Sequence, residues 1–114
     1  MAVEAFSGSE TVSTTEWSMV SDTAATPDVE TSDGVFQAII DFNALLAGDE
    51  FRFRVYEKVL AGSTQRLVDE KFVSGAQGTP NWMSEAYILL HGWDMTLLRT
   101  AGADRAIDWS IRKG

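Results

Sequence analysis

Apolar and polar residues alternate with a period of two along several stretches of the chain, the pattern of β-strands that turn one face to a core. The clearest run is FRFRVYEKV, residues 51–59. Phe51, Phe53, Val55, Glu57 and Val59 fall on one face and Arg52, Arg54, Tyr56 and Lys58 on the other, so the first set is expected in the core. Residues 65–73 form a second amphipathic run after AGST, and the two are expected to pair as a hairpin. VFQAIIDF, residues 35–42, is apolar on both sides and reads as a central strand. EAYILLH, residues 85–91, reads as a further buried strand, with Gly92 as a bulge or bend after it. Around AGAD, Trp93, Met95, Leu97 and Arg99 alternate with Asp94, Thr96, Leu98 and Thr100, and Ile107, Trp109 and Ile111 alternate with Asp108, Ser110 and Arg112. That pattern predicts a final hairpin.

SDG (residues 32–34) and SGAQGTPNW (residues 74–82) read as turns, and NALLAGDE (residues 43–50) as one helical turn closed by Gly48. No helical pattern of 11 residues and no repeat of solenoid period interrupts this. The expected fold is all-β: a two-sheet antiparallel β-sandwich of jelly-roll or Greek-key type with about 7-8 strands. One domain is expected. Residues 1–33, acidic and rich in Ser and Thr, would be an N-terminal arm or edge strands of the same unit, and residues 34–114 the β-sandwich core.

Charge adds to this picture. The formal net charge is −8, which argues against nucleic acid as a partner, because phosphate binding needs Lys and Arg to displace counterions. Residues 1–51 hold ten acids and no Lys or Arg, whereas residues 52–114 hold seven acids and all nine bases. Either the two halves interleave in the fold, or an acidic edge carrying residues such as Glu10 and Glu16 meets the basic edge of a neighbour. The chain has no Cys, so disulfides and thiolate metal sites are excluded. The first ten residues show neither a basic nor an apolar leader segment, and no apolar run reaches spanning length, so neither export by a standard signal nor a place in a membrane is expected.

Candidate chemistry is sparse. Asp22, Asp28, Glu30 and Asp33 do not follow the calcium-loop spacing and read as a solvated acidic loop. His91 is the one histidine, and no nucleophile motif, phosphate loop or His-Glu-x-x-His accompanies it. Paired acids such as Glu57 with Asp69, or Glu70 with Glu85, satisfy the residue types of a glycosidase without any specific signature. No enzyme, metal or cofactor is expected. Among the four Trp, the alternation puts Trp93 and Trp109 in the core, while Trp82, placed in a loop, is either an anchor for a neighbouring subunit or a sugar-stacking platform. Arg52, Arg54 and Lys58 make a basic stripe, either solvated and paired with Glu70 or Asp69, or a surface for the acidic edge of a second copy.

Two segments, LLAGDEFRFRVYEK (residues 45–58) and ILLHGWDMTLLRTAGADRAIDWSIRK (residues 88–113), together about a third of the chain, resemble a group of small proteins encoded among the structural genes of tailed bacteriophages. Through that group the chain resembles the decoration, or cement, proteins of icosahedral heads. The resemblance implies an enzyme-free virion component on the outer surface of the head, made in the host cytoplasm. Its implied partners are the major capsid protein and itself, as a homo-oligomer, commonly a trimer. The alternatives are a carbohydrate- or receptor-binding module of a phage tail, and a tail or head–tail joining subunit.

Overall fold

The computed structural model describes residues 1–24 and 28–114, and these are all β, with no helix. Ten strands form: β1 (Val3–Val12), β2 (Trp17–Ser18), β3 (Thr23–Ala24), β4 (Gly34–Asp41), β5 (Glu50–Glu57), β6 (Arg66–Ser74), β7 (Asn81–Met83), β8 (Tyr87–Leu89), β9 (Asp94–Ala101) and β10 (Arg105–Lys113). The number exceeds the seven or eight expected because β7 and β8 share one edge of β4, and because the two-residue β3 lies beside β2. Ser84 is the first of the three residues that separate β7 from β8. It exchanges backbone and hydroxyl bonds with Ala38 and so keeps both short strands in register on β4.

The two antiparallel sheets run β1-β10-β4-β7/β8 and β3-β2-β9-β5-β6. The pairings are nested: β1 with β10, β2 with β9, β4 with β7 and β8, β5 with β6. Such nesting is the wrapping of a jelly roll, two Greek keys in one sandwich. Residues 3–12 form the full-length edge strand β1, joined to β10 from Val3↔Lys113 to Val12↔Arg105.

The expected final hairpin does not form. β9 pairs with β2 and β5 in one sheet, while β10 pairs with β1 and β4 in the other, so residues 102–104 cross between sheets as an arch. Alternation alone cannot separate the two cases, because an arch also presents two half-buried strands joined by a turn. Gly102 makes the crossing possible: its φ is +84°, and a Cβ there would lie 2.6 Å from the Cα of Asp49. NALLAGDE is likewise two successive turns rather than a helical turn, closed by Leu45 N–H to Phe42 O and Asp49 N–H to Leu46 O. Residues 32–34, expected as a turn, form none: Ser32 and Asp33 have no regular structure and Gly34 is the first residue of β4.

The core follows the predicted faces. Phe36, Ala38, Ile40 and Phe42 from β4 and its end meet Phe51, Phe53 and Val55 from β5, with Met95 and Leu97 from β9 and Ile107, Trp109 and Ile111 from β10. Trp93 is fully enclosed, its ring 4.5 Å from Phe36 and 5.9 Å from Phe6 centre to centre. Each such side chain contributes roughly 1.5–3 kcal/mol by leaving water. Val59, expected in this core, is exposed beyond the end of β5, and Ile88 and Leu90 stand out of a strand expected to be buried.

Candidate interaction surface

The wrapping gives the sandwich two ends. The β1–β2, β4–β5, β6–β7 and β9–β10 connections lie at one, and the β2/β3–β4, β5–β6 and β8–β9 connections at the other. The first is latched by Asp49, only 2% exposed. Its carboxylate accepts Nε–H of Arg105 at 2.7 Å and the N–H groups of Leu46 and Ala103 at 2.8 and 3.0 Å. Arg105 and those two amides hold its pKa well below the usual carboxylate range. Arg99 ties the arch down further through Asp104 and the Gly102 carbonyl.

Ten of the thirteen exposed large apolar side chains among the described residues stand at the other end. Met1 and Val3 come from the start of β1, Val35 from the start of β4, and Val29 from the segment before it. Val59 and Leu60 sit on the β5–β6 loop, with Leu67 and Val68 at the start of β6, and Ile88 and Leu90 in and just after β8. The loops beneath them are bound to one another. Lys58 N–H donates to His91 O, Gln65 Nε2 donates to the carbonyls of Asp28 and Gly92, and Glu57 accepts the N–H groups of Leu90 and His91 at 2.5 and 2.9 Å. Gly92, at φ +45°, is the bend that lets the chain pass under the Lys58 stem and Val29. Val29, Val59, Leu60 and Leu90 therefore project from a cross-braced platform.

Asp94 pins this end from within. The residue is fully buried; one carboxylate oxygen accepts Ser18 Oγ–H and Met95 N–H, each at 2.8 Å, and the other accepts Asp28 N–H at 2.9 Å. Burial pushes its pKa up to about 6, against the pull of those three donors. Glu30 and Trp93 exchange both backbone hydrogen bonds, and Trp93 Nε1–H donates to Ser32 O, which holds the adjoining segment down.

The basic stripe lies on the outer face of the β9-β5-β6 sheet, and the chain's own acids occupy most of it. Glu16 accepts the Tyr56 and Thr96 hydroxyls, both at 2.6 Å, and pairs with Arg54 at 3.6 Å. Arg54 also binds Glu70, and Arg52 pairs with Glu70 and Glu50 at 3.6 Å while its guanidinium stacks 4.4 Å above Phe72. Burial, with Glu16 beside it, raises the Tyr56 hydroxyl to about 12, so it remains a donor near neutrality. Among the described residues Lys58 alone of the three makes no ion pair, and it stands at the rim of the apolar end. Glu10 is half-buried on β1, its carboxylate turned back to the N–H of Thr11.

Trp82 is not in a loop. It lies in β7 with its ring packed on Phe42 and Phe53, at 6.0 and 5.3 Å. Trp17 is half-buried, with Nε1–H donated to Asp22. The charge halves meet inside the molecule, as Glu16 with Arg54 and Asp49 with Arg105.

A groove of about 550 Å³ opens beside the apolar end, between the free edges of β6 and β8. Glu57, Asp69 and Glu85 line it with Val68, Tyr87 and Ile88. Two acids named from the sequence as a pair, Glu57 and Asp69, thus share this groove, whereas Glu70 lies on the outer face with Arg52 and Arg54. Glu57 braces the β8–β9 loop and Asp69 accepts the Tyr87 hydroxyl at 2.6 Å. Comparison of the chain with known protein families, with curated proteins and with solved structures finds no match.

Proposed function

We propose that the protein is a structural interaction protein that docks through the apolar end of its jelly roll onto a larger protein assembly. The observation that carries this is the concentration of ten exposed apolar side chains on one cross-braced end. Scattered singly, such residues need no explanation, but gathered and rimmed by polar groups they mark a surface that another protein covers. A braced platform also suits docking, because loops already bound to one another need little further ordering when the partner arrives. In the specific form of this reading, drawn from the resemblance, the assembly is a phage head, the partner is the major capsid protein, and a homotrimer cements neighbouring capsid subunits. Jelly rolls recur in capsid proteins and equally in lectins, so the fold alone favours neither. The sugar-binding alternative loses ground because Trp82, Trp93 and Trp109 pack into the core region rather than forming a platform.

Two measurements test this. Phage particles purified from the source strain are expected to contain the 12.5 kDa chain in many copies, and its absence overturns the virion form of the reading. Mixed with particles stripped of it, the chain is expected to rebind, and Leu60→Asp to lose that binding without losing fold; rebinding by Leu60→Asp at full strength overturns docking by this end. Light scattering with a mass near three chains would support the trimer.

A further inference from the structure

We propose that the groove between β6 and β8 takes up an extended segment of the docking partner, one in which apolar side chains alternate with Lys or Arg. This deepens the docking reading and rests on it.

Three observations converge on that chemistry. The groove's lining holds three carboxylates, Glu57, Asp69 and Glu85, and no Lys or Arg. Lys71, 3.8 Å from Asp69 and 3.5 Å from Glu85, is the one base that forms an ion pair with any of the three among the described residues, so the acids outnumber the ion-pair partners they have within the molecule. Its rim is apolar: Ile88 is 82% and Val68 54% exposed, and both continue into the apolar end through Leu90 and Leu67. An occupant must therefore match carboxylates and aliphatic walls together, which a purely cationic or purely greasy ligand does not.

The shape selects an extended chain. β6 and β8 are the outermost strands of opposite sheets on the same side of the sandwich, and neither has a further strand on its free edge. A β-bulge leaves Val68 without a partner on β5, between Asp69↔Val55 and Leu67↔Tyr56, so this edge departs from regular pairing where it meets the groove. A segment lying along such edges points successive side chains to opposite sides. One set would rest on Val68 and Ile88 while the other reaches the acids, the division of labour of strand-addition sites. The volume is within the usual range for ligand sites.

The probe is a capped octapeptide alternating Val and Lys, titrated into the full chain and followed by amide NMR shifts. Control peptides alternate Ser and Lys, or Val and Glu. The expected result is shifts confined to residues 66–71 and 85–90, with both controls, and the Glu85→Lys and Ile88→Ser variants, weaker by about tenfold or more. Equal binding by the Ser/Lys peptide would reduce the effect to unspecific charge attraction and overturn the proposal, as would shifts centred on Arg52 and Arg54. Glu85 and Ile88 are exposed, so unfolding does not confuse the outcome. Failure here is separable from failure of docking: if Leu60→Asp abolishes particle binding while Glu85→Lys leaves peptide and particle binding unchanged, the docking reading stands and the groove does not.

Discussion

Each end of the jelly roll is tied by one buried aspartate, and the two are held on opposite terms. Asp49 at the latched end meets a guanidinium and two amides, and its pKa lies below the ordinary range. Asp94 at the apolar end meets a hydroxyl and two amides, makes no ion pair among the described residues, and has its pKa raised to about 6. At Asp94 burial outweighs the three donors, whereas at Asp49 the guanidinium and two amides together outweigh it. The same residue type is thus a permanent clamp at one end and a titratable pin at the other. The latched end turns its polar groups inward on themselves; the pinned end displays the aliphatic surface.

The comparison breaks most forcefully at Gly102. A Cβ there meets the backbone of Asp49 at a φ that L-residues avoid, so Gly102→Ala is expected to cost about 3 kcal/mol. That corresponds to a fall in Tm on the order of 15 °C by calorimetry. A loss below about 1 kcal/mol would show that the arch is not what fixes that end.

Titration sharpens the contrast. The raised pKa of Asp94 means that ionising it opposes folding, so stability is expected to rise as pH falls from 7 through 6 towards 3.8, by on the order of 3 kcal/mol. The depressed pKa of Asp49 has the opposite sign: its contribution is present above the ordinary carboxylate range and is lost as pH falls below about 4. Urea unfolding across this range is expected to peak between about pH 4 and 6. In Asp94→Asn the rise from pH 7 should flatten while the acid loss persists. A variant whose slope between pH 7 and 4 matches the parent would remove Asp94 as its source.

Gly92 is the milder counterpart of Gly102. An added Cβ would come within 2.9 Å of the Lys58 side chain and a Val29 methyl, both free to move, rather than of backbone. Gly92→Ala is therefore expected to cost about 1–2 kcal/mol, less than Gly102→Ala, and to weaken particle binding by tilting Val29. The smallest effect on stability is expected for Val59→Asp with Leu60→Asp, within about 0.5 kcal/mol by urea unfolding. A substantial loss there would mean that these side chains pack in the fold rather than serve a partner.

The parts of this arrangement legible in the sequence are those in which one strand records its own surroundings. The buried faces of β4 and β5 are written directly in their alternation, and the Arg54–Glu70 pair follows from the β5–β6 hairpin. Glu16 was hidden because its partners Tyr56 and Thr96 are 40 and 80 residues away, and no local pattern reports a contact of that range. The arch was hidden because a strand's alternation does not say which sheet it joins. Val59, Ile88 and Leu90 resembled core for a related reason: an aliphatic side chain has the same letter whether a sheet or a partner covers it.

The nested pairing of β1 with β10 sets a timetable for the molecule. Val3 finds its partner only at Lys113, and β2 reaches its sheet neighbour β9 through Trp17↔Leu97, so the outermost ring of the wrapping closes across more than a hundred residues. Closing such loops before their contacts form is slow. During synthesis the Ser/Thr-rich β1 waits unpaired until the last strand has left the ribosome, a low-risk wait for a segment with few aliphatic side chains to aggregate.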